Sequence, residues 1–216
     1  IRRVITVLSN KKIMKKETDE LNEKILESAR SEFLAYGYQD ASLRRICRAA
    51  GLTTGALYKR YEGKDSLFVA LLEPTLTALD QYGQEQKRRD YDFLEEGHLS
   101  AMWAHRLEDL QSLMRILYEH KDIMQLLLFK SQGSSQADFR MRLPHLAADE
   151  TYRYLELAYK EGKINHLVKH EFLRSCMTAY YTAVFEPLAQ DWPQEQALEF
   201  CHSIMDLFDW GGLLGF

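Results

Sequence analysis

Residues 43–68, LRRICRAAGLTTGALYKRYEGKDSLF, constrain this chain more than any other stretch. Their spacing predicts two short helices joined by a tight turn, with a further helix starting after Gly63. Ser42 is placed to cap the first short helix, because a Ser oxygen accepts from the free N–H groups of a first turn. Leu43, Ile46 and Ala50 then repeat at helical spacing and define a buried face. Gly51 stands where a helix ends in a left-handed residue. Thr53 or Thr54 caps the next helix, and Leu57 anchors it to the core. Gly55 removes a side chain where backbone must approach closely, either to a partner helix or to a phosphate. Tyr58, Lys59 and Arg60 are left pointing outward. Lys64 opens the following helix, where free N–H groups and the positive dipole end favour an anion. Two short helices around a turn, the second carrying aromatic and basic side chains, form a helix-turn-helix suited to reading DNA.

The run Ile46-x-x-Ala49-Ala50-Gly51-Leu52-Thr53-x-Gly55-x-Leu57-Tyr58-x-x-Tyr61-x-x-Lys64-x-x-Leu67 resembles, without gaps, the DNA-binding domain of the TetR family of bacterial transcriptional regulators. The likeness covers about residues 21–68. Family members usually carry His where Arg60 stands, Phe where Tyr61 stands and Ala where Cys47 stands. Arg60 keeps a phosphate donor and Tyr61 an aromatic core role, though Arg60 alters which phosphates or bases are touched. The resemblance implies an all-α chain: a three-helix helix-turn-helix domain, joined by a long helix to a C-terminal helical bundle. It also implies a homodimeric regulator, usually a repressor, that leaves a palindromic operator on double-stranded DNA when a small molecule binds the body. The expected DNA-facing set is Ser42, Arg44, Arg45, Thr53, Thr54, Gly55, Tyr58, Lys59, Arg60 and Lys64.

Charge agrees with that orientation. The net charge of −4 divides into +5 over residues 1–66 and −9 over residues 67–216. The basic end meets phosphate and the acidic body is repelled by it. Cys47, Cys176 and Cys201 are odd in number, sit in apolar helical contexts and lack C-x-x-C spacing, which points to reduced thiols in a cytoplasm. No apolar run reaches the roughly 20 residues that span a bilayer, so no membrane is expected.

With the resemblance, three segments are expected: 1–14 as a non-native or disordered arm, 15–66 for the helix-turn-helix domain, and 67–216 for ligand binding and dimerisation. Residues 1–13 do not read as helix. Met14 or a nearby residue is the expected natural start, with the upstream residues either foreign or a basic arm reaching a DNA groove. Apolar positions Ile25, Leu26, Ala29, Phe33 and Leu34 predict a supporting helix over 22–36, ended by Gly37. A long helix is expected over 65–89, with Pro74 kinking it or costing a hydrogen bond. The charged stretch 88–97 reads as a turn. Further helices are expected over 98–117, 121–131, 137–162, 170–190 and 194–209, with Pro144 splitting the third, and the apolar C-terminus packed back on the body.

The body is rich in aromatic residues. Helix bundles place ligand pockets between facing helices, and Trp103, Leu107, Tyr118, Phe129 and Tyr181 are the candidate walls for a largely apolar effector. Apolar stripes (Leu155, Ala158, Tyr159; Met177, Tyr180, Val184) nominate 149–162 and 170–208 for the dimer contact. His98 with His105, and His166 with His170, have spacings that invite a metal, but neither pair has a further ligand at fixed spacing, so no metal or cofactor is expected. No nucleophile–base pair, phosphate-cradling loop or carboxylate pair suggests an enzyme. The competing reading is an effector-independent DNA-binding adaptor that recruits a protein partner; a fully packed body interior would favour it.

Overall fold

A computed structural model describes residues 2–97, 106–208 and 210–211, with side chains from residue 20 onward; among these, every regular element is α-helix. Trp103, His98 and His105 lie outside the described residues. The chain divides into two compact units, Ile1–Glu73 with Lys130–Ala137, and Pro74–Phe129 with Asp138–Phe216.

In the first unit, α1 (Arg2–Asp40) contains the break expected at Gly37, whose φ of 70° is left-handed. The helix starts at Arg2, so the expectation that residues 1–13 are non-helical is overturned. Two short helices follow, α2 (Leu43–Ala49) and α3 (Thr54–Tyr58), and then the start of α4 (Lys64–Glu96). Ile25, Ala29 and Phe33 of α1 are fully buried together with Ile46, Leu57, Leu67 and Phe68. Phe33, Tyr38 and Phe68 form a ring cluster with centroids 4.9–6.0 Å apart. Burying side chains of this size stabilises by about 1.5–3 kcal/mol each, which is what holds helices as short as α2 and α3 in place.

Residues 130–137 belong to this first unit although they come from far along the chain. The Tyr38 N–H, just past the Gly37 break, donates to the Lys130 carbonyl at 2.8 Å. The Lys130 ammonium donates to the Leu34 carbonyl at 2.5 Å. The Asp65 carboxylate accepts from the Ser135 N–H at 2.8 Å.

In the second unit, α4 continues from Pro74 and is followed by α5 (Arg106–Glu119), α6 (Lys121–Phe129), α7 (Phe139–Lys160), α8 (His170–Ala189) and α9 (Gln194–Leu207). Two boundaries differ from expectation. The charged stretch 88–97 is helix up to Glu96: Arg88 pairs with Glu85 and Asp92 along the outside of α4, as helical spacing of three and four allows. The helix stops at Gly97, φ 75°, and Lys163 donates to the Leu94 carbonyl at 2.7 Å, a cation at the negative end of the helix dipole. Pro144 does not split α7; it is buried within one continuous helix. The core holds Leu110, Met114, Leu117, Met124, Leu155, Ala158, Val184, Phe185, Cys201 and Ile204. Leu155, Ala158 and Val184, nominated for a dimer stripe, are spent inside the monomer's own core. Trp210 is buried against Tyr180 and Phe208.

Candidate nucleic-acid interface and body site

The turn between α2 and α3 is built locally. Gly51 takes φ 68°, and the Leu52 N–H returns to the Cys47 carbonyl at 2.9 Å, which closes α2 in the way a left-handed C-terminal residue does. The Thr53 hydroxyl accepts from the Ala56 N–H at 3.2 Å and caps α3, a bond contributing about 1 kcal/mol. Ser42 occupies the corresponding position before α2, but its side chain makes no cap bond; its N–H donates to Glu32 instead, at 2.8 Å.

With Leu57 fully buried, Thr54, Gly55, Tyr58, Lys59 and Arg60 are exposed, as are Thr53 on the turn and Arg44 on α2. Tyr58 is 56% exposed, a large ring held in water with no core role. A Cβ built on Gly55 would meet only the Thr53 hydroxyl, at 4.0 Å. The packing of α3 therefore does not require glycine, and of the two sequence-based reasons for Gly55 the close approach to a partner helix is removed. Arg44, Arg48, Lys59 and Arg60 form no ion pair among the described residues. Arg48 was missed from sequence; its signal was there, since it lies one helical turn from Arg44.

Two other expected cations are engaged within the chain. Arg45 donates to Glu32 at 2.7 Å and to the Asp40 carbonyl at 2.8 Å, and lies over the Tyr36 ring. Burial alone would raise the Glu32 carboxyl, but hydrogen bonds from Arg45 and the Ser42 N–H, with the Arg45 charge, hold it below its ordinary value. Lys64 donates to the carbonyls of Gln39 and Ala41 at 2.9 and 3.2 Å and sits over the Tyr38 ring. It ties the end of α1 to the start of α4. Tyr61 is core as expected, and its hydroxyl donates to Asn22 at 2.6 Å.

Residues 25–71 match the sequence profile of the bacterial regulatory proteins of the tetR family. The chain carries a TetR-family DNA-binding domain. Over 47 residues it is 45% identical to the HTH-type transcriptional repressor Rv1474c of Mycobacterium tuberculosis, covering 22% of this chain and 25% of that protein. Over 56 residues it is 39% identical to the HTH-type transcriptional regulator SrpR of Pseudomonas putida, covering 26% of each. The matched region thus spans about a quarter of the length of these relatives. Beyond the TetR head the likeness is one of fold. MexZ, a key repressor responsible for antibiotic resistance in Pseudomonas aeruginosa, superposes with a TM-score of 0.57 at 19% identity, covering 90% of this chain and 98% of that one. NalD, the secondary repressor of the MexAB-OprM multidrug efflux pump in the same organism, gives 0.55 at 18% identity, over 90% and 100%. No helix among the described residues is long and apolar enough to cross a membrane.

The described candidate effector walls each have identifiable neighbours. Tyr118 donates its hydroxyl to the Trp192 carbonyl at 2.8 Å. Phe129 lies under the Arg140 guanidinium. Leu107, part-buried, opens α5. Tyr181 alone sits in a polar aromatic cluster, beside Tyr180 and Phe185. Its neighbours Tyr82 and Arg106 were missed from sequence, as were Asp90 and Tyr154, which Arg106 also faces. Tyr82 and Asp90 are two helical turns apart and so share a face of α4, but reading 88–97 as a turn hid that relation. Among the described residues no group of three or more His, Cys, Asp or Glu is placed to hold a metal.

Proposed function

We propose that this chain is a homodimeric transcriptional regulator, a repressor that holds a palindromic DNA site and releases it when a small molecule binds the second unit. One observation carries the reading: α3 is anchored by Leu57 and presents Tyr58, Lys59 and Arg60 to solvent beside the unpaired Arg44 and Arg48. Thr54, Gly55, Tyr58 and Lys59 supply base contact in a major groove, and Arg44, Arg48 and Arg60 neutralise phosphate. Arg45 and Lys64, with most of their donors already engaged, act chiefly by fixing α2 and α4. A recognition helix of five residues reads few base pairs, so two-fold pairing is needed for useful specificity. Leu146, Leu157 and Tyr159 of α7 and Phe172 of α8 are exposed and offer apolar surface for it. The similarity of the first unit to HTH-type transcriptional repressors supports the direction of control.

Selection from random DNA should enrich an inverted repeat, and light scattering at micromolar concentration should show a dimer. Failure to enrich any motif defeats the DNA-reading proposal, and a monomer both free and on DNA defeats the dimer. Effector control predicts a reciprocal coupling of about 1–3 kcal/mol between DNA and ligand; joint binding with unchanged affinities would refute it.

A further inference from the structure

The positive charge at the N-terminal end is not spread over the helix-turn-helix. Residues 1–16 hold six Lys or Arg (Arg2, Arg3, Lys11, Lys12, Lys15 and Lys16) and no Asp or Glu. Residues 17–66, which contain the helix-turn-helix, hold eight Lys or Arg against nine Asp or Glu. That part has a net charge of −1, and the +5 of residues 1–66 comes entirely from the stretch before it. Two of the eight cations are moreover engaged within the chain, Arg45 on Glu32 and Lys64 on the Gln39 and Ala41 carbonyls. Duplex DNA carries one negative charge per about 1.7 Å of its axis, so residues 17–66 gain no long-range attraction from their net charge.

The fold joins the basic stretch to the reading helix. Helix α1 runs from Arg2 through Asn22 to its break at Gly37, and Ile25 and Ala29 are fully buried and fix that part of it in the core. The Tyr61 hydroxyl donates to the Asn22 side chain at 2.6 Å, and Tyr61 directly follows Lys59 and Arg60. The exit of α3 is thus pinned to α1 six residues after Lys16, about 9 Å of helix. Residues 2–16 extend about 21 Å further, the length of about six base pairs.

The pattern of the stretch decides what it meets. Val4 and Leu8 lie on one i, i+4 row that continues into Lys12 and Lys16. Val7 lies on another, which runs from Arg3 into Lys11 and Lys15. Apolar and basic residues therefore share faces, whereas a helix that lies on a membrane or docks through an apolar stripe separates them. Phosphate asks only for charge. Asp19 and Glu20 stand one turn from Lys15 and Lys16 and moderate them, and Glu17 and Glu23 lie on the same side. Arg2, Arg3, Lys11 and Lys12 have no Asp or Glu within four residues.

We infer that residues 2–16 are a second DNA-binding element, lying along the phosphates that flank the site read by α3 and setting affinity rather than sequence preference. The inference rests on the DNA-reading proposal above and adds a contact outside the helix-turn-helix.

The test compares the intact protein with a variant carrying Arg2→Gln, Arg3→Gln, Lys11→Gln and Lys12→Gln together, glutamine being as good a helix former. Both are titrated by fluorescence anisotropy on the enriched inverted repeat. One duplex is trimmed flush to the motif and the other carries about ten further base pairs on each side, and salt runs from about 50 to 200 mM. The intact protein should bind the flanked duplex about tenfold or more tightly at the lower salt. Its slope of log affinity against log salt should exceed the variant's by about two to four. The variant should bind both duplexes alike. Equal affinity of the intact protein for the two duplexes overturns the inference and needs no variant, so a misfolded one cannot hide the answer; an unchanged salt slope in a folded variant overturns it too. Phosphatidylglycerol vesicles are the competing anionic surface. Binding to them that the four substitutions abolish, with no gain from flanking DNA, would assign the stretch to a membrane instead. If the intact protein enriches no motif, the DNA-reading proposal fails and takes this element with it; an enriched motif without a flank effect sinks the element alone.

Discussion

Replacing Gly55 with alanine should separate folding from DNA binding, because the two effects have opposite signs. Gly55 is the second residue of α3, has no left-handed φ, and would place its new Cβ 4.0 Å from the Thr53 hydroxyl, an ordinary contact. Alanine is favoured over glycine by up to about 1 kcal/mol inside a helix, and it also narrows the unfolded ensemble. Near a helix start about half of that is expected, so stability should rise by roughly 0.5 kcal/mol, a shift in Tm of about 1–2 °C for a chain of this size. If the bare backbone at Gly55 is where DNA approaches, the methyl group displaces the contacts around it. Loss of one charge-assisted contact, about 1.5–3 kcal/mol, lowers operator affinity roughly ten- to hundredfold. Urea denaturation and fluorescence anisotropy on the selected operator measure the two quantities separately. A variant destabilised by more than about 1 kcal/mol would show that the fold itself needs glycine. A stable variant with unchanged affinity would show that DNA does not come close to Gly55.

Gly51→Ala should behave differently, since φ there is 68° with open space around it: a loss of about 1–2 kcal/mol in urea denaturation, purely from backbone strain, with no loss meaning that the turn relaxes freely. Glu32 and Asp65 are both held below the ordinary carboxylate range, the latter by Ser135 and the Tyr38 hydroxyl outweighing burial. The stability they confer is therefore present above about pH 4.5 and lost as pH falls through their lowered values; Glu32→Gln should flatten the urea midpoint against pH on the acid side, and an unaltered profile would rule Glu32 out. Lys59→Ala should reduce the slope of log affinity against log salt by about one. Lys64→Ala should instead cost roughly 1 kcal/mol of stability, and a reduced salt slope without destabilisation would return Lys64 to the DNA.

The helix-turn-helix was legible because its determinants are local. Gly51, Thr53 and Leu57 act within a few residues of one another, so their spacing carries the geometry. The end of α4 was not legible, because a run such as Arg88-Arg89-Asp90-Tyr91-Asp92 looks like a solvated turn until the helices around it are known. Only they reveal that Arg88 and Asp92 face out while Arg89 and Asp90 face in. Arg45 and Lys64 read as DNA cations for the same reason: Glu32, Gln39 and Ala41, which engage them, lie 13 to 25 residues away. Aromatic content alone suggested a ligand site but could not say which rings meet. Tyr180 and Tyr154 come together through helix packing, not spacing.

The profile match ends at residue 71, but the first unit does not. It is assembled from two stretches of chain, and the second, Lys130–Ala137, supplies the partners of Leu34, Tyr38 and Asp65. During synthesis the head therefore stays incomplete until Ala137 has left the ribosome, by which time α4, α5 and α6 have been made. A chimaera that exchanges heads at a single junction in α4 would bring a foreign segment to these three residues. A functional transplant needs three junctions, one in α4 and one at each end of a second graft of eight residues, Lys130–Ala137.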